Sequence, residues 1–312
     1  MIKALTLRMF PADMSWRDCM REARNAGYQG VEINFDGALG LDCPLATLRE
    51  MKAAARSFDL RIVSVYSRNQ WMTPISSADP MKRKQGQRVL ETLLHHAENL
   101  EAGIVLTIPG AVDNALLCPN PEIVPYADAY ARTRETLSSL APLAAQCGCV
   151  LALENVHNRF LLSPLEMKRL VEEIGSPAVG CYFDVANCLF GNGIPQDWIG
   201  ILGRHIRAVH VKDYRLGVGA PGGFVNVFEG DVDWPAVCAA LKAVPFDGPL
   251  VAEVLPAFRH HPEMLWQNAG LALDCLMKDL SAGGRPARIS LPRRGRQYQA
   301  KAFIRRAVGR EA

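Results

Sequence analysis

Residues 150–185 contain three successive segments: Val-Leu-Ala-Leu-Glu-Asn-Val (150–156), Ser-Pro-Leu-Glu (163–166) and Gly-Cys-Tyr-Phe-Asp-Val (180–185). The outer two are apolar runs of strand length. The middle one combines a serine N-cap, a proline at the first helical position and an acid in the first turn, which is typical of a helix start. A strand, a helix and a second strand in this order predict two parallel neighbouring strands.

The same alternation recurs along the chain and gives eight predicted strands. They are Lys3–Met9, Gly30–Phe35, Arg61–Ser67, Gly103–Pro109, Val150–Val156, Gly180–Val185, Ile206–Lys212 and Pro249–Leu255. Eight strand–helix units in about 280 residues favour a (β/α)8 TIM barrel, an α/β fold, over an open sheet. No Gly-x-Gly-x-x-Gly motif follows the first strand, so a dinucleotide-binding sheet is disfavoured. We therefore expect residues 1–280 to form one catalytic barrel domain.

The composition is that of an ordinary globular protein. The 312 residues are 49% hydrophobic and 21% charged, with a mean hydropathy of +0.02. These values exclude disorder throughout the chain. The apolar runs are far shorter than the ~18 residues of a membrane span, and no secretory signal is recognised, so we expect a cytoplasmic protein with no membrane contact. The nine cysteines lack zinc-site spacing and are expected to be free thiols.

The charge is distributed unevenly. Residues 281–312 hold nine Lys/Arg and one acid, so this basic C-terminal tail carries +8, although the whole chain carries only +3. The remaining residues carry a net −5 and offer no basic surface for nucleic acid. We expect the tail to be partly ordered at best.

Four predicted strands end in a side chain that can bind a metal. Glu154, Asp184, His210 and Glu253 each follow or end an apolar run. A buried carboxylate costs several kcal/mol unless it is paired or ligated. Because the carboxyl ends of barrel strands meet at one rim, three carboxylates and an imidazole would repel one another there without a cation. The alternative is a rim of salt bridges that involves Lys212 and Arg215.

Three oxygen donors and one nitrogen suit Mn²⁺, Mg²⁺ or Co²⁺ better than a thiolate-type zinc site. A metal held in this way polarises a carbonyl and stabilises an enediolate. Glu154 and Glu253 lie on non-adjacent strands and can reach opposite faces of a bound carbon. One can remove a proton next to the carbonyl while the other returns it on the opposite face.

Further residues are candidates for contact with a substrate. His157 follows Glu154 by three residues and is a candidate for contact with a substrate hydroxyl, the alternative being a surface histidine. Arg215 offers a cation for a phosphate or a carboxylate. Trp71 and Trp16 are candidate walls for a sugar ring, although packing in the core is the more common use of such side chains. Two stretches after predicted strands, 69–80 and 214–233, are predicted loops at the active rim.

The motifs Leu-Glu-Asn (153–155), Phe-Asp-Val-Ala-Asn (183–187), Val-His-Val-Lys-Asp (209–213), Glu-Gly-Asp-Val-Asp-Trp (229–234) and Ala-Glu (252–253) resemble those of the sugar phosphate isomerase/epimerase family. Its members have the xylose-isomerase-like barrel. The resemblance covers roughly residues 1–280. It implies one divalent metal, most often Mn²⁺, bound by Glu154, Asp184, His210 and Glu253, with Glu154 and Glu253 also acting as the acid–base pair.

The resemblance also bears on the substrate. Asn187 stands where the tagatose and psicose epimerases have a histidine. The Val-His-Val-Lys-Asp form is closer to the pentulose 5-phosphate epimerase and inosose dehydratase branches, in which Lys212 would contact the substrate or a metal ligand. By analogy with the family, a homo-oligomer, either a dimer or a tetramer, is expected.

The leading hypothesis is an isomerase that transfers a proton at the carbon next to the carbonyl of a ketose or ketose phosphate. A lyase is the alternative, either an inosose dehydratase or a C-glycoside-cleaving subunit acting on 3-oxo sugars, because it uses the same enolate and then expels a group. A non-catalytic sugar-binding protein is a minor alternative. A trinuclear zinc nuclease is disfavoured, since predicted strands two to four end in Asn34, Ser67 and Pro109 rather than histidine.

Overall fold

A computed structural model describes residues 1–255 and 258–282 of the chain. Its strands are β1 (Ile2–Thr6), β2 (Gly30–Asn34), β3 (Arg61–Tyr66), β4 (Ile104–Thr107), β5 (Val150–Glu154), β6 (Val179–Asp184), β7 (Ile206–Val211), β8 (Asp213–Tyr214), β9 (Phe224–Val225) and β10 (Pro249–Ala252). Eight of them pair in parallel in the closed order β1-β10-β7-β6-β5-β4-β3-β2. The predicted (β/α)8 barrel is therefore confirmed.

Most helices form the outer layer around the barrel. The helices are α1 (Trp16–Asn25), α2 (Leu45–Ser57), α3 (Asn69–Met72), α4 (Pro80–Leu100), α5 (Tyr126–Gln146), α6 (Pro164–Ile174), α7 (Val185–Phe190), α8 (Pro195–Leu202), α9 (Trp234–Ala243) and α10 (Glu263–Ser281). The short α3 and α7 lie instead in the connections directly after β3 and β6. The predicted helix start at Ser163 is confirmed: the Ser163 and Glu166 side chains form a reciprocal capping box at the start of α6.

The barrel strands are buried on both faces, which explains why they are continuous apolar runs rather than alternating ones. One core lies between the strands and the helices and includes Leu5, Ile33 and Phe183. A second core lies inside the barrel and includes Ala152, Tyr182 and Ala208. The inner core supports the side chains that leave the carboxyl ends of the strands.

Three predicted segments differ from the structure. The predicted strand Lys3–Met9 stops at Thr6, because Leu7–Met9 form a 3-10 turn that buries Met9. The predicted loop 69–80 contains α3, whose Trp71 side chain is buried. The predicted loop 214–233 contains one strand of the β8–β9 hairpin, in which Asp213 and Tyr214 pair with Val225 and Phe224.

Within the described residues, none of the helices is both long enough and apolar enough to cross a membrane. The cytoplasmic location stays a prediction. Residues 283–312, which make up most of the basic C-terminal tail, lie outside the described residues. The predicted order of the tail is therefore not tested.

Candidate metal and acid–base site

The carboxyl ends of four consecutive barrel strands bring the predicted ligands together. Glu154 ends β5, Asp184 ends β6, His210 lies near the end of β7, and Glu253 directly follows β10. Each offers one donor atom, and the four atoms lie within 4.8 Å of one another. The side chains are between 0% and 11% exposed, so this four-residue cluster is withdrawn from solvent.

The His210 imidazole is turned into the three carboxylates. Its Nδ1 lies 2.8 Å from Glu154 Oε1, 3.4 Å from Glu253 Oε2 and 3.7 Å from Asp184 Oδ2. Three carboxylate oxygens around one imidazole nitrogen are a donor set that Mn²⁺, Mg²⁺ or Co²⁺ accepts. The residues therefore fit a single divalent metal ion.

Two asparagines hold Asp184 in place. The Asp184 backbone N–H donates to Asn155 Oδ1 at 2.8 Å, and Asn155 Nδ2 donates to the Asp184 carbonyl at 2.8 Å. Asp184 also caps α7, because the Asn187 backbone N–H donates to its Oδ1 at 2.8 Å. These contacts leave Oδ2 directed at the four-residue cluster.

Two cations lie against the same carboxylates. The Lys212 ammonium donates to Asp184 Oδ2 and, at 2.6 Å, to Glu253 Oε2. Arg8 Nη1 donates to Glu253 Oε1 at 3.1 Å. The predicted salt-bridged rim is thus present for Lys212, and it coexists with the metal-ligand geometry. Lys212 and Arg8 offset part of the negative charge of the four-residue cluster.

The pKa values of the two glutamates are displaced in opposite directions. Burial raises the pKa of Glu154 to about 7, against the opposing effect of His210. Burial would also raise the pKa of Glu253, but the charges of Lys212, His210 and Arg8 outweigh it, and the pKa is lowered. Two carboxyl groups whose environments separate their pKa values in this way are typical of an acid–base pair.

A cavity of about 340 Å³ opens over the cluster. Its polar lining includes Glu154, Glu253, Lys212, His157 and Asn187, whereas much of the remaining wall is apolar. The apolar residues include Trp71, Leu106, Leu116, Leu117, Phe224 and Leu255. A small organic molecule that entered here would lie between the two glutamates and an apolar wall.

A comparison of the whole sequence with models of known protein families identifies the family of this chain. The family model described as "Xylose isomerase-like TIM barrel" matches residues 20–270, which is most of the chain. The protein is a member of the xylose isomerase-like TIM-barrel family. The fold class predicted from the motifs is confirmed at the level of this family.

Curated relatives of this chain include epimerases. L-ribulose-5-phosphate 3-epimerase UlaE of Salmonella paratyphi C (strain RKS4594) is 26% identical over 265 residues, which cover 82% of this chain and 87% of that protein. UlaE of Salmonella typhi is 25% identical over the same length. These relatives support the predicted enzyme of the isomerase class.

Solved structures show the same fold. A D-psicose 3-epimerase crystallised in the presence of D-fructose superposes with a TM-score of 0.74 at 15% identity, covering 90% of this chain and 100% of that one. The probable 3-DHS dehydratase AsbF of Bacillus anthracis gives 0.70 at 18% identity, covering 88% and 99%. At these identities the likeness concerns the barrel alone.

The other sequence-predicted candidates in this family member divide into two groups. His157, Asn187 and Trp71 line the cavity, and His157 Nε2–H donates to Asn187 Oδ1 at 3.1 Å. Arg215 instead donates from Nε to the Glu229 carbonyl at 3.0 Å, and its side chain is 54% exposed. Trp16 packs against the outer core. The structure therefore brings His157, Asn187 and Trp71 to the cavity but not Arg215 or Trp16, and the roles of all five stay predictions.

Glu32 on β2 contacts the site but is not among the residues predicted from the sequence. This carboxylate is 1% exposed and accepts hydrogen bonds from Ser64 Oγ at 2.8 Å and Tyr182 Oη at 3.0 Å. Its Oε1 lies 3.5 Å from His210 Nε2, the imidazole nitrogen on the far side from the cluster. The sequence does contain a signal for this residue, because Gly-Val-Glu-Ile-Asn (30–34) places an acidic side chain inside an apolar strand.

We expect Glu32→Gln to weaken metal binding by about 10- to 100-fold, because a carboxylate that faces the free nitrogen of a ligating histidine fixes the ring and raises its basicity. Isothermal titration with Mn²⁺ measures the affinity. The matched control is Glu50→Gln, an exposed glutamate on α2, which should leave the affinity unchanged. Equal affinities for the Glu32 variant and the unsubstituted protein would show that Glu32 does not support the site.

We expect the His157 imidazole to stay neutral well below neutral pH. Burial lowers its pKa to about 4, and the charge of Asp184 opposes this only in part. Since the unfolded chain binds that proton near pH ~6.5, neutral His157 contributes stability that is complete above this pH and is lost as the pH falls towards 4. A histidine NMR titration, assigned with His157→Gln, checks this, and a midpoint near ~6.5 would contradict it.

Proposed function

We propose that this protein is a divalent-metal-dependent epimerase or isomerase of a sugar or sugar phosphate. It transfers a proton at the carbon next to a ketose carbonyl through an enediolate. The observation that carries the proposal is the placement of Glu154 and Glu253. They flank the His210 imidazole from β5 and from the end of β10, with β6 and β7 between them in the barrel.

Glu154, Asp184, His210 and Glu253 would hold the metal, and Mn²⁺ is the proposed ion, with Mg²⁺ and Co²⁺ as substitutes. A divalent cation supplies positive charge that stabilises the negative charge developing on the substrate carbonyl oxygen. The protein's contribution is to fix the four donors, which Asn155 does for Asp184 through two hydrogen bonds of 2.8 Å.

The acid–base work falls to the two glutamates. One carboxylate takes the proton from one face of the carbon, and the other carboxyl group delivers a proton to the opposite face. Arg8 and Lys212 keep Glu253 directed into the cavity through contacts of 3.1 and 2.6 Å. His157 and Asn187 line the cavity, and there the imidazole and the amide would bind a substrate hydroxyl.

The UlaE relatives are named for an epimerisation at carbon 3 of a ketose phosphate, and they support this reaction class for the chain.

The apolar wall of the cavity favours a second candidate function, that of a lyase. Trp71, Leu116 and Leu117 offer a surface suited to an apolar group attached to the sugar rather than to hydroxyls. A 3-oxo glycoside would present such a group, and loss of that group from the enolate would make the enzyme a lyase. A dimer or tetramer stays a prediction by analogy.

The test is a product assay with the Mn²⁺-loaded full chain. Free ketoses, ketose 5-phosphates, inososes and 3-oxo glycosides are incubated separately, and products are separated by chromatography. We expect a C3 epimer from at least one ketose or ketose phosphate. Elimination products alone would replace the epimerase with the lyase, and binding without turnover of any of these compounds would favour the sugar-binding alternative.

A further inference from the structure

A second group of metal-binding side chains lies at the opposite end of the barrel. His95 and Glu98 lie near the end of α4, and Cys147 caps the end of α5. Each of these helices leads into the amino-terminal end of the next strand, β4 or β5. The site formed by these three residues is therefore separated from the four-residue cluster by the length of the barrel.

The three donor atoms are spaced as zinc ligands are. His95 Nδ1 lies 3.5 Å from Glu98 Oε2, and Cys147 Sγ lies 3.9 Å from His95 Nδ1 and 3.8 Å from Glu98 Oε2. In a tetrahedral site with Zn–N and Zn–O near ~2.0 Å and Zn–S near ~2.3 Å, donor pairs are about 3.3–3.6 Å apart. The observed distances need to contract by only a few tenths of an ångström.

The helix ends add a second, independent argument for a cation. Helix α5 spans 21 residues and Cys147 is its C-cap, so the negative end of its dipole lies at the site, while Glu98 lies in the last turn of the 21-residue helix α4. His95 and Glu98 are one turn apart, so both side chains leave the same face of α4. His95 and Glu98 are 58% and 52% exposed, which leaves room for a water molecule as the fourth ligand.

We propose that His95, Glu98 and Cys147 form a zinc-binding site that joins α4 to α5. On binding, the Cys147 S–H bond breaks, the sulfur forms a bond to zinc, and the proton passes to solvent. One thiolate, one carboxylate and a neutral imidazole balance the two charges of Zn²⁺. The thiolate makes the site a better match for zinc than for Mn²⁺ or Mg²⁺.

Cobalt substitution tests the proposal, because Co²⁺ bound to a thiolate gives a near-ultraviolet charge-transfer band that oxygen and nitrogen ligands do not produce. The full chain is titrated with Co²⁺ under a phosphine reductant, so that no added thiol competes. We expect the band in the unsubstituted protein, its loss in Cys147→Ser, and its bleaching by Zn²⁺. In His95→Gln the titration should shift to at least ~10-fold higher Co²⁺.

Two controls separate this site from the proposed active site. Cys275→Ser, which removes an exposed cysteine on α10, should keep the band. Cys147→Ser should keep the activity of the unsubstituted protein, and its thermal transition without metal shows that it folds. Absence of the band in the unsubstituted protein, or a band that persists in Cys147→Ser, would overturn the proposal.

Discussion

Replacing either Glu154 or Glu253 with glutamine is expected to lower the rate of epimerisation by about 10²–10⁴-fold, the range that a positioned acid or base contributes. Glutamine keeps the shape and one oxygen of the side chain but cannot accept or deliver the proton. Both carboxylates contact the His210 imidazole, at 2.8 and 3.4 Å, so both lie where the proposed mechanism needs them. Steady-state rates with the best substrate from the product assay measure the effect.

The two variants should differ in a second property. If each glutamate serves one face of the carbon, then Glu253→Gln retains solvent exchange of the hydrogen that faces Glu154, although the carbon is not inverted. Because both residues are also proposed ligands, the metal content of each variant is measured in parallel. Glu135→Gln, an exposed glutamate on α5, is the matched control and should retain full activity. Near-normal rates in both metal-loaded glutamine variants would rule out the acid–base pair.

Removing the metal is expected to abolish turnover but not to unfold the protein. Asp184 and Glu253 already pair with the Lys212 ammonium, so the carboxylates are not left without a positive charge when the metal is removed. Dialysis against a chelator should therefore reduce activity to background while the far-ultraviolet circular dichroism stays the same. Addition of Mn²⁺, Co²⁺ or Mg²⁺ should restore activity.

Binding of the metal should also stabilise the fold. Free Mn²⁺ at about 100 times its Kd adds about 2.7 kcal/mol to the free energy of unfolding, which corresponds to a rise of several degrees in Tm. Asp184→Asn should remove this rise, because it deletes a donor of the four-residue cluster, whereas Asp279→Asn on the surface of α10 should keep it. An equal rise in Asp184→Asn would place the stabilising metal elsewhere.

The barrel and the convergence of the four-residue cluster could be predicted from sequence because both depend on strand order. Once β5, β6, β7 and β10 are recognised as parallel strands, their carboxyl ends must share one rim. Polar residues at those ends, such as Asp184 after Gly-Cys-Tyr-Phe, then lie close together, and this does not depend on the details of the helices.

Contacts between residues far apart in the chain could not be predicted in this way. Arg8 reaches Glu253 across 245 positions, and Tyr182 reaches Glu32 across 150. These pairs depend on side-chain conformation inside the barrel, for which no short spacing rule exists. The buried acid of β2 did carry a sequence signal, because an acid inside an apolar strand needs a partner.

The direction of a cationic side chain on a loop was the hardest feature to predict from the sequence. Arg215 directly follows the β8 residues, and its sequence position favours the rim, yet the β8–β9 hairpin turns its guanidinium towards Glu229. Lys212, three residues earlier, stays between Asp184 and Glu253 because it directly follows β7. Strand β7 fixes the direction of the Lys212 side chain, whereas the β8–β9 hairpin fixes the direction of Arg215.

We propose that this chain removes a proton next to a ketose carbonyl with Glu154 and Glu253. The most direct measurement is proton NMR in D₂O of each candidate substrate after incubation with Mg²⁺- or Co²⁺-loaded protein and removal of the metal. We predict that one hydrogen next to the carbonyl is replaced by deuterium, and that the double variant Glu154→Gln/Glu253→Gln loses this exchange. With metal shown to be bound, retention of every hydrogen in all candidate ketoses, ketose phosphates, inososes and 3-oxo glycosides would show that the two glutamates do not abstract such a proton.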